Sequence, residues 1–375
     1  MSLAIAGMGW VTPLGSGVDL VWKRLIGGEE AIAESLPARE NRSYRVFRVS
    51  DSALEDLPSN PRLRRVSAIS RFGVAAGLQA LKNAGLTIDP QHAPRIALIF
   101  AISNGGVIYT RRFYSDIVAR SAQAASPLLF PETVFNAPAS HLAALLGTTG
   151  ATYTIVGDGA VGLLAMRMAE DVMKNEELDY CLVVGAEEVD WLLCDAYRHW
   201  RLLRSAPPIE PFRVPPRGMM LSEGAGAILL GRDGSITLDQ THPGGDYSKR
   251  RGAGEALKLI LTELATGDAS LIVSSANGTF VDLAEARAIS QLPFDGAIYS
   301  VKPALGESVG ASGVWQVIVG AQALRTGELP PLLHYPAEMP FGAAPASRVS
   351  GGRSALVVNC GLNQQVAGLR LASRF

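Results

Sequence analysis

Hydrophobic positions along this chain alternate between two rhythms. Short continuous apolar runs at Leu3–Ala6, Ile96–Ile102, Thr152–Val156, Leu182–Gly185, Ala225–Leu230, Leu271–Ser274 and Ala355–Val358 predict buried strands. Between them lie longer stretches with a period near 3.6. Ala68–Asn83 places Ile69, Phe72, Ala76 and Ala80 on one stripe, and Gly85 stops it. Ser140–Leu146 reads as a short helix, and Gly254–Ala265, Asp282–Leu292 and Gly310–Thr326 as further helices. Ala160–Lys174 is apolar around most of its circumference, which predicts a central helix covered on several sides. Strand followed by helix, repeated, predicts an α/β fold built on a mostly parallel sheet with both faces covered. The polar, Pro/Gly-containing stretch Gly231–Gly252 is the candidate boundary between residues 1–235 and 236–375. Both sides carry the same alternation, which suggests a duplicated unit without literal sequence repetition.

With 375 residues, 48% of them hydrophobic and only 18% charged, the chain can build a large core and hide apolar surface against a partner. A formal charge of −1 gives no electrostatic case for nucleic acid or an anionic membrane. The three cysteines, Cys181, Cys194 and Cys360, have no metal-ligand spacing, and the five histidines are scattered, so neither a metal nor a cofactor is expected. The N-terminus lacks a basic region before its apolar residues, and the Val314–Leu324 run is too short to span a bilayer. These features lead us to expect a soluble, cytoplasmic protein.

The run from Tyr153 to Met166 reads as strand, tight Gly-Asp-Gly turn and first helical turn. Such a geometry presents one side chain at a helix N-terminus, where the dipole lowers a thiol pKa. Gly159 occupies that place and supplies no side chain. Other glycine-punctuated motifs follow the same order along the chain: Gly7-Met-Gly-Trp-Val-Thr-Pro-Leu-Gly15, Asn136-Ala-Pro-Ala-Ser-His141 with Gly150-Ala-Thr-Tyr-Thr154, Pro211-Phe-Arg213, and Met220-Leu-Ser-Glu-Gly-Ala-Gly226. Ser275-Ala-Asn-Gly-Thr279, Ser300-Val-Lys-Pro-Ala-Leu-Gly306 and Gly310-Ala-Ser-Gly313 complete the set. Together they resemble the ketoacyl synthases of the thiolase superfamily over nearly the whole chain.

That resemblance implies a thiolase-like fold, two strand-helix halves in a five-layer α-β-α-β-α sandwich. It also implies a thiolate that holds an acyl chain and two imidazoles that help decarboxylate a malonyl thioester. The resemblance puts the nucleophile at Gly159, the first histidine at Asn277 and the second at Glu307, so all three are lost. Glycine cannot form a thioester. Asn277 retains an amide donor that could serve an oxyanion hole, whereas an ionised Glu307 would repel a malonyl carboxylate. The family's lysine is kept as Lys302, for which an ion pair with Glu307 or a backbone carbonyl is expected. The family's glycine–phenylalanine–glycine gate reads Gly361-Leu362-Asn363, a loop under relaxed or different demands.

Loss of the nucleophile resembles the chain-length factors, non-catalytic partners of bacterial type II polyketide ketosynthases. Many of these carry glutamine there, so a glycine weakens any case for a priming decarboxylation and sits closer to the polyene-making relatives. The branch implies an active ketosynthase as heterodimer partner, an acyl carrier protein met mainly through that partner, and a tunnel at the subunit interface. The gating positions fall on Val107, Thr110 and Tyr114, at i, i+3 and i+7 of one helical face after Gly105-Gly106. Ordinary core packing is the competing explanation of that stripe. The edge near Thr152–Val156 is expected to pair with a partner strand, and the arginines at 62, 64, 65, 198, 201 and 204 either dock a carrier or form a solvated face. Buried apolar roles are expected for the cysteines, a structural role for His141, and turn or cap chemistry for Asp158. Two other functions stay open: an independent acyl-thioester hydrolase, acyltransferase or malonyl decarboxylase with a relocated site, and a homodimeric acyl-binding scaffold.

Overall fold

The computed structural model describes residues 3–89, 92–264, 269–339 and 353–374. Ten principal strands carry the fold: β1 (Leu3–Thr12), β2 (Ile96–Ile102), β3 (Thr152–Val156), β4 (Tyr180–Glu187), β5 (Gly224–Gly231), β6 (Ile236–Thr241), β7 (Ala269–Val273), β8 (Ala297–Tyr299), β9 (Ser354–Cys360) and β10 (Gln365–Ser373). Read from its outer edge inward, the first set runs β3-β2-β4-β5-β1 and the second runs β8-β7-β9-β10-β6. In each set the third, second, fourth, fifth and first strands in chain order follow one another. In each set the outer pairings are parallel and the inner ones antiparallel. The sets meet where β1 pairs with β6 through Leu3 opposite Leu238 and Ala4 opposite Thr237.

The expectation of a mostly parallel sheet is therefore corrected to a mixed one. Strands β4, β5 and β1 are buried along nearly their whole length although they run antiparallel. Burial on both faces produces the same continuous apolar run whichever way the neighbour points. Strand β6, inside the stretch read as a polar boundary, was not expected, and β8, β10 and the hairpin Ala33–Pro37/Ser43–Phe47 were likewise not expected. Strand β3 is correctly placed, but as an edge with Tyr153 and Val156 exposed rather than as a buried strand.

Besides a nine-residue helix at Val18–Ile26, the helices are α1 (Ala68–Asn83), α2 (Val107–Arg120), α3 (Ala137–Leu146), α4 (Val161–Val172), α5 (Trp191–His199), α6 (Ala253–Leu264), α7 (Phe280–Ile289), α8 (Lys302–Leu305) and α9 (Val309–Thr326). Ala265, expected to end α6, lies outside the described residues. Helices α1 and α3 cover one outer face, α6 and α7 cover the other, and α4 and α9 are packed between the two sets of strands. This gives the five layers of a thiolase-like fold. Strand β1 continues past Ala6 because Gly7 and Gly9 let α1 lie directly on it. A Cβ on Gly7 would sit 2.2 Å from the Ala80 carbonyl oxygen, and one on Gly9 would sit 1.9 Å from that of Ala76. The central α9 is buried from Val309 to Ala323, which explains its lack of a polar face.

Candidate functional site

The turn after β3 is built around the Asp158 carboxyl group. Its Oδ1 accepts from the Ala160 amide at 3.2 Å, the local turn expected from the sequence. Its Oδ2 accepts from the Asn363 amide at 2.9 Å, which ties the turn to the loop after β9. Gly159 has no positive φ, so its backbone does not demand glycine. A Cβ there would stand 3.1 Å from Asn359 Oδ1 and 3.5 Å from Gly361 Cα. Asn359 is fully buried; its Nδ2 donates to Gln316 Oε1 at 2.6 Å, while its Oδ1, turned towards Gly159, has no partner among the described residues. Neither Asn359 nor Gln316 was identified from sequence.

Asn277, Lys302 and Glu307 converge in one closed, buried network. Glu307 Oε2 accepts from Lys302 Nζ at 2.6 Å and from Asn277 Nδ2 at 2.7 Å, while Oε1 accepts from Ser312 Oγ at 2.7 Å. Of the two roles considered for Lys302, the ion pair is the one it takes. The Asn277 amide group is committed to Glu307, so it is not presented to a reacting oxyanion as the sequence allowed. Asn277 Oδ1 accepts from Thr279 Oγ1 at 2.6 Å, and the loop is braced by Asp282, whose carboxyl accepts from the amides of Asn277, Gly278 and Phe212. Burial pushes Asp282 up to about 7 against the downward pull of those amides. The backbone of Glu307 is fixed in turn, its amide donating to Met220 and its carbonyl accepting from Ser222. The Pro211 and Met220 motifs thus brace the site from the first half of the chain.

The loop Gly361-Leu362-Asn363 is held rather than relaxed. Its Gly361 amide donates to the Gln365 carbonyl at 2.8 Å and its Gly361 carbonyl accepts from Tyr247 Oη at 2.6 Å. The Asp158 amide donates to Gln365 Oε1 at 3.1 Å. A Cβ on Gly361 would lie 2.1 Å from both Asp158 carboxyl oxygens, so any other residue there must displace that carboxyl group from the turn. A cavity of about 420 Å³ opens above this loop and is lined by Asp158, Asp246, Asn104, Tyr197 and Leu362 among others. Its lining includes two aspartates and no lysine or arginine, the wrong sign to attract a phosphate or a malonyl carboxylate. Burial raises the Asp158 pKa, an effect its three amide contacts only partly offset.

A second, mostly apolar space of about 520 Å³ runs between α2 and the start of α5. Val107, Thr110 and Tyr114 all line it, with Val118, Trp191 and Leu192. Val107 is buried, Thr110 is half-buried with its hydroxyl donating to Gly106 O, and Tyr114 is 59% exposed. Packing in the core of this chain accounts for Val107 but not for Tyr114. Exposed Phe130, Phe135, Tyr153 and Val156 extend apolar surface around α2 and the unpaired edge of β3.

The remaining candidates take structural places. Cys181, Cys194 and Cys360 are buried and unpaired. Burial pushes Cys181 and Cys194 up to about 12 and Cys360 well above the usual thiol range, so none is poised as a thiolate. His141 bonds Glu132 through Nε2 but leaves Nδ1 without a partner among the described residues, so it is only half satisfied. Arg204 is drawn into an ion pair with Glu210, while Arg62, Arg64, Arg65, Arg198 and Arg201 are exposed. Among the described residues no group of three or more metal-ligating side chains could hold a metal ion, and no helix is long and apolar enough to cross a membrane.

Against known proteins, residues 2–234 match the β-ketoacyl synthase N-terminal domain and residues 232–336 the β-ketoacyl synthase C-terminal domain. The chain is 27% identical over 350 residues to 3-oxoacyl-[acyl-carrier-protein] synthase 2 of Vibrio harveyi, covering 87% of this chain and 81% of that protein. It is 25% identical over 360 residues to nodulation protein E of Rhizobium leguminosarum bv. trifolii, covering 89% and 88%. Among solved structures, a chain of the ishigamide ketosynthase/chain length factor superposes with a TM-score of 0.88 at 20% identity, covering 100% of this chain and 99% of that one. A ketosynthase in complex with its chain length factor from Xenorhabdus doucetiae matches with a TM-score of 0.83 at 20% identity, covering 99% and 98%. With the layered fold and a matched region that takes in more than half of its length, the chain belongs to the β-ketoacyl synthase family.

Proposed function

We propose that this chain is a non-catalytic chain-length-factor subunit that pairs with an active ketosynthase and shapes an acyl tunnel at their interface. The observation that carries the reading is the closed network around Glu307. At the positions where the family resemblance expects two imidazoles, a carboxylate has both oxygens occupied by Lys302, Asn277 and Ser312. With Gly159 in the nucleophile's place, no group remains to hold an acyl chain or to assist loss of carbon dioxide. The thiolase-like halves, residues 1–235 and 236–375, are retained as scaffold. Solved ketosynthase/chain length factor structures of the same fold support the pairing.

On this reading the partner's edge strand pairs with β3 and covers the apolar surface around Tyr153 and Val156. The partner also closes the groove in which Val107, Thr110 and Tyr114 set the available length, within a cytoplasmic heterodimer. Acyl carrier protein docks mainly on the partner, in keeping with the aspartate-lined cavity on this chain. The cysteines, buried and held protonated, disfavour an independent enzyme with a relocated thiol.

Co-expression with a ketosynthase that retains the nucleophilic cysteine and both histidines, followed by size-exclusion and intact-mass analysis, tests the pairing. A stable one-to-one complex is expected, and the isolated chain should not turn over carrier-bound acyl or malonyl groups. Turnover by the chain alone would overturn the reading.

A further inference from the structure

The groove beside α2 is apolar along Val107, Tyr114, Val118 and Leu192, but it contains two guanidinium groups. Both pack over the Trp191 ring, with the Arg39 guanidinium carbon 5.0 Å and that of Arg111 5.6 Å from its centre. They differ in their charge balance. Arg111 donates three hydrogen bonds to the Asp190 carboxylate, between 2.9 and 3.0 Å, and is neutralised there. Arg39, at the turn of the Ala33–Pro37/Ser43–Phe47 hairpin, has no ion pair among the described residues. Its neighbour Glu40 pairs with Arg42 instead. One exposed cation without an ion pair thus stands against an aromatic face in a mostly apolar groove.

A guanidinium stacked on an indole keeps its in-plane N–H donors directed outward, where they can meet acceptor oxygens. A methyl-terminated chain reaching this place would strip water from that charge and return no hydrogen bond. An oxygen at the end of the chain would accept from it. We propose that the groove takes acyl chains whose distal end carries an oxygen acceptor, a carboxylate or a phenolic oxygen, and that Arg39 reads that end. The proposal rests on the chain-length-factor reading, because the groove needs a partner to deliver the chain. In that role Arg39 is a specificity-determining residue at the far end of the chain, remote from the bond-forming step.

The test uses the complex of this chain with its cognate ketosynthase and two pairs of carrier-bound primers. Nonanoyl is compared with 8-carboxyoctanoyl, and a phenyl-terminated primer with its 4-hydroxyphenyl counterpart. The wild-type complex should prefer the oxygen-terminated member of at least one pair, and which pair responds distinguishes carboxylate from phenol. Arg39→Gln should lower that preference in kcat/KM about tenfold, equivalent to about 1.4 kcal/mol, by weakening the oxygen-terminated primers and easing the plain ones, which no longer desolvate a charge. Arg39→Lys should retain part of it. An unchanged ratio in Arg39→Gln, in a complex whose product length still responds to Tyr114→Ala, overturns the role of Arg39 alone. If Tyr114→Ala also leaves product length unchanged, the chain-length-factor reading fails and this proposal fails with it.

Discussion

Replacing Glu307 with histidine restores the residue expected from the family, yet in this chain it should be strongly destabilising. Three donors depend on the carboxylate: Lys302 Nζ at 2.6 Å, Asn277 Nδ2 at 2.7 Å and Ser312 Oγ at 2.7 Å. Both ends of the ion pair have side chains only 2% exposed, so water cannot take the carboxylate's place. A neutral imidazole offers one acceptor nitrogen, which leaves two donors unpaired and the lysine charge uncompensated. Breaking one partner out of a buried pair costs about 3–5 kcal/mol, and the orphaned donors lie within that figure rather than adding fully to it. For a chain of this size, with an unfolding entropy of about 2.1 cal/mol/K per residue, that is a fall in Tm of about 4–6 °C. Thermal unfolding of Glu307→His, Lys302→Met and the double variant, each as the complex, reads it out. The double variant removes both charges and should recover most of the loss. A single variant within about 1 kcal/mol of wild type, or a double variant no better than the single, would refute the reasoning.

Two further perturbations probe the turn at Gly159 and the buried groups of the fold. Gly159→Ala should lie within about 1 kcal/mol of wild type, because the gain of about 0.4–1 kcal/mol from the unfolded chain is set against a Cβ 3.1 Å from Asn359 Oδ1. Gly159→Ser should exceed Ala by about 1 kcal/mol if its hydroxyl donates to the unpaired Asn359 Oδ1, and chemical denaturation showing Ser below Ala would contradict this. Glu187, buried with Oε1 unpartnered, is pushed by burial from the usual carboxylate range up to about 8. The folded chain therefore binds a proton there that the unfolded chain has released, and stability falls as pH rises from about 4.5 towards 8. The slope is at most about 1.4 kcal/mol per pH unit. Glu187→Gln should flatten that part of the curve, so parallel curves for the two proteins would exclude Glu187 as the group responsible.

Much of the fold was legible because its apolar runs are long and its central helix α9 lacks a polar face, whereas α4 turns Arg167, Glu170 and Asp171 outward. Strand direction was not legible, since β4 and β5 are buried on both sides and give no alternation by which to orient them. Strand β6 was hidden by the polar residues Asp239 and Gln240, although its Ile-Thr-Leu opening was a usable signal. Asn277, Lys302 and Glu307 were picked out by motif order, and the Lys302–Glu307 pair is one of the two arrangements expected for that lysine. Their consequences needed three dimensions. The Asp158 link to Asn363, the Tyr247 anchor on Gly361 and the Asn359–Gln316 clasp join residues up to 205 positions apart. Arg39 and Trp191 likewise lie in separate stretches that only the fold brings together.

The measurement that bears most directly on the central claim is the product length made by the heterodimer when the groove is altered. Tyr114, exposed on this chain and lining the groove, is the large group expected to close its end. Tyr114→Ala should shift products of the ketosynthase complex to longer chains, and Val107→Phe should shorten them, with complex formation unchanged as judged by size-exclusion. An unaltered product distribution from both variants in intact complexes would contradict the account.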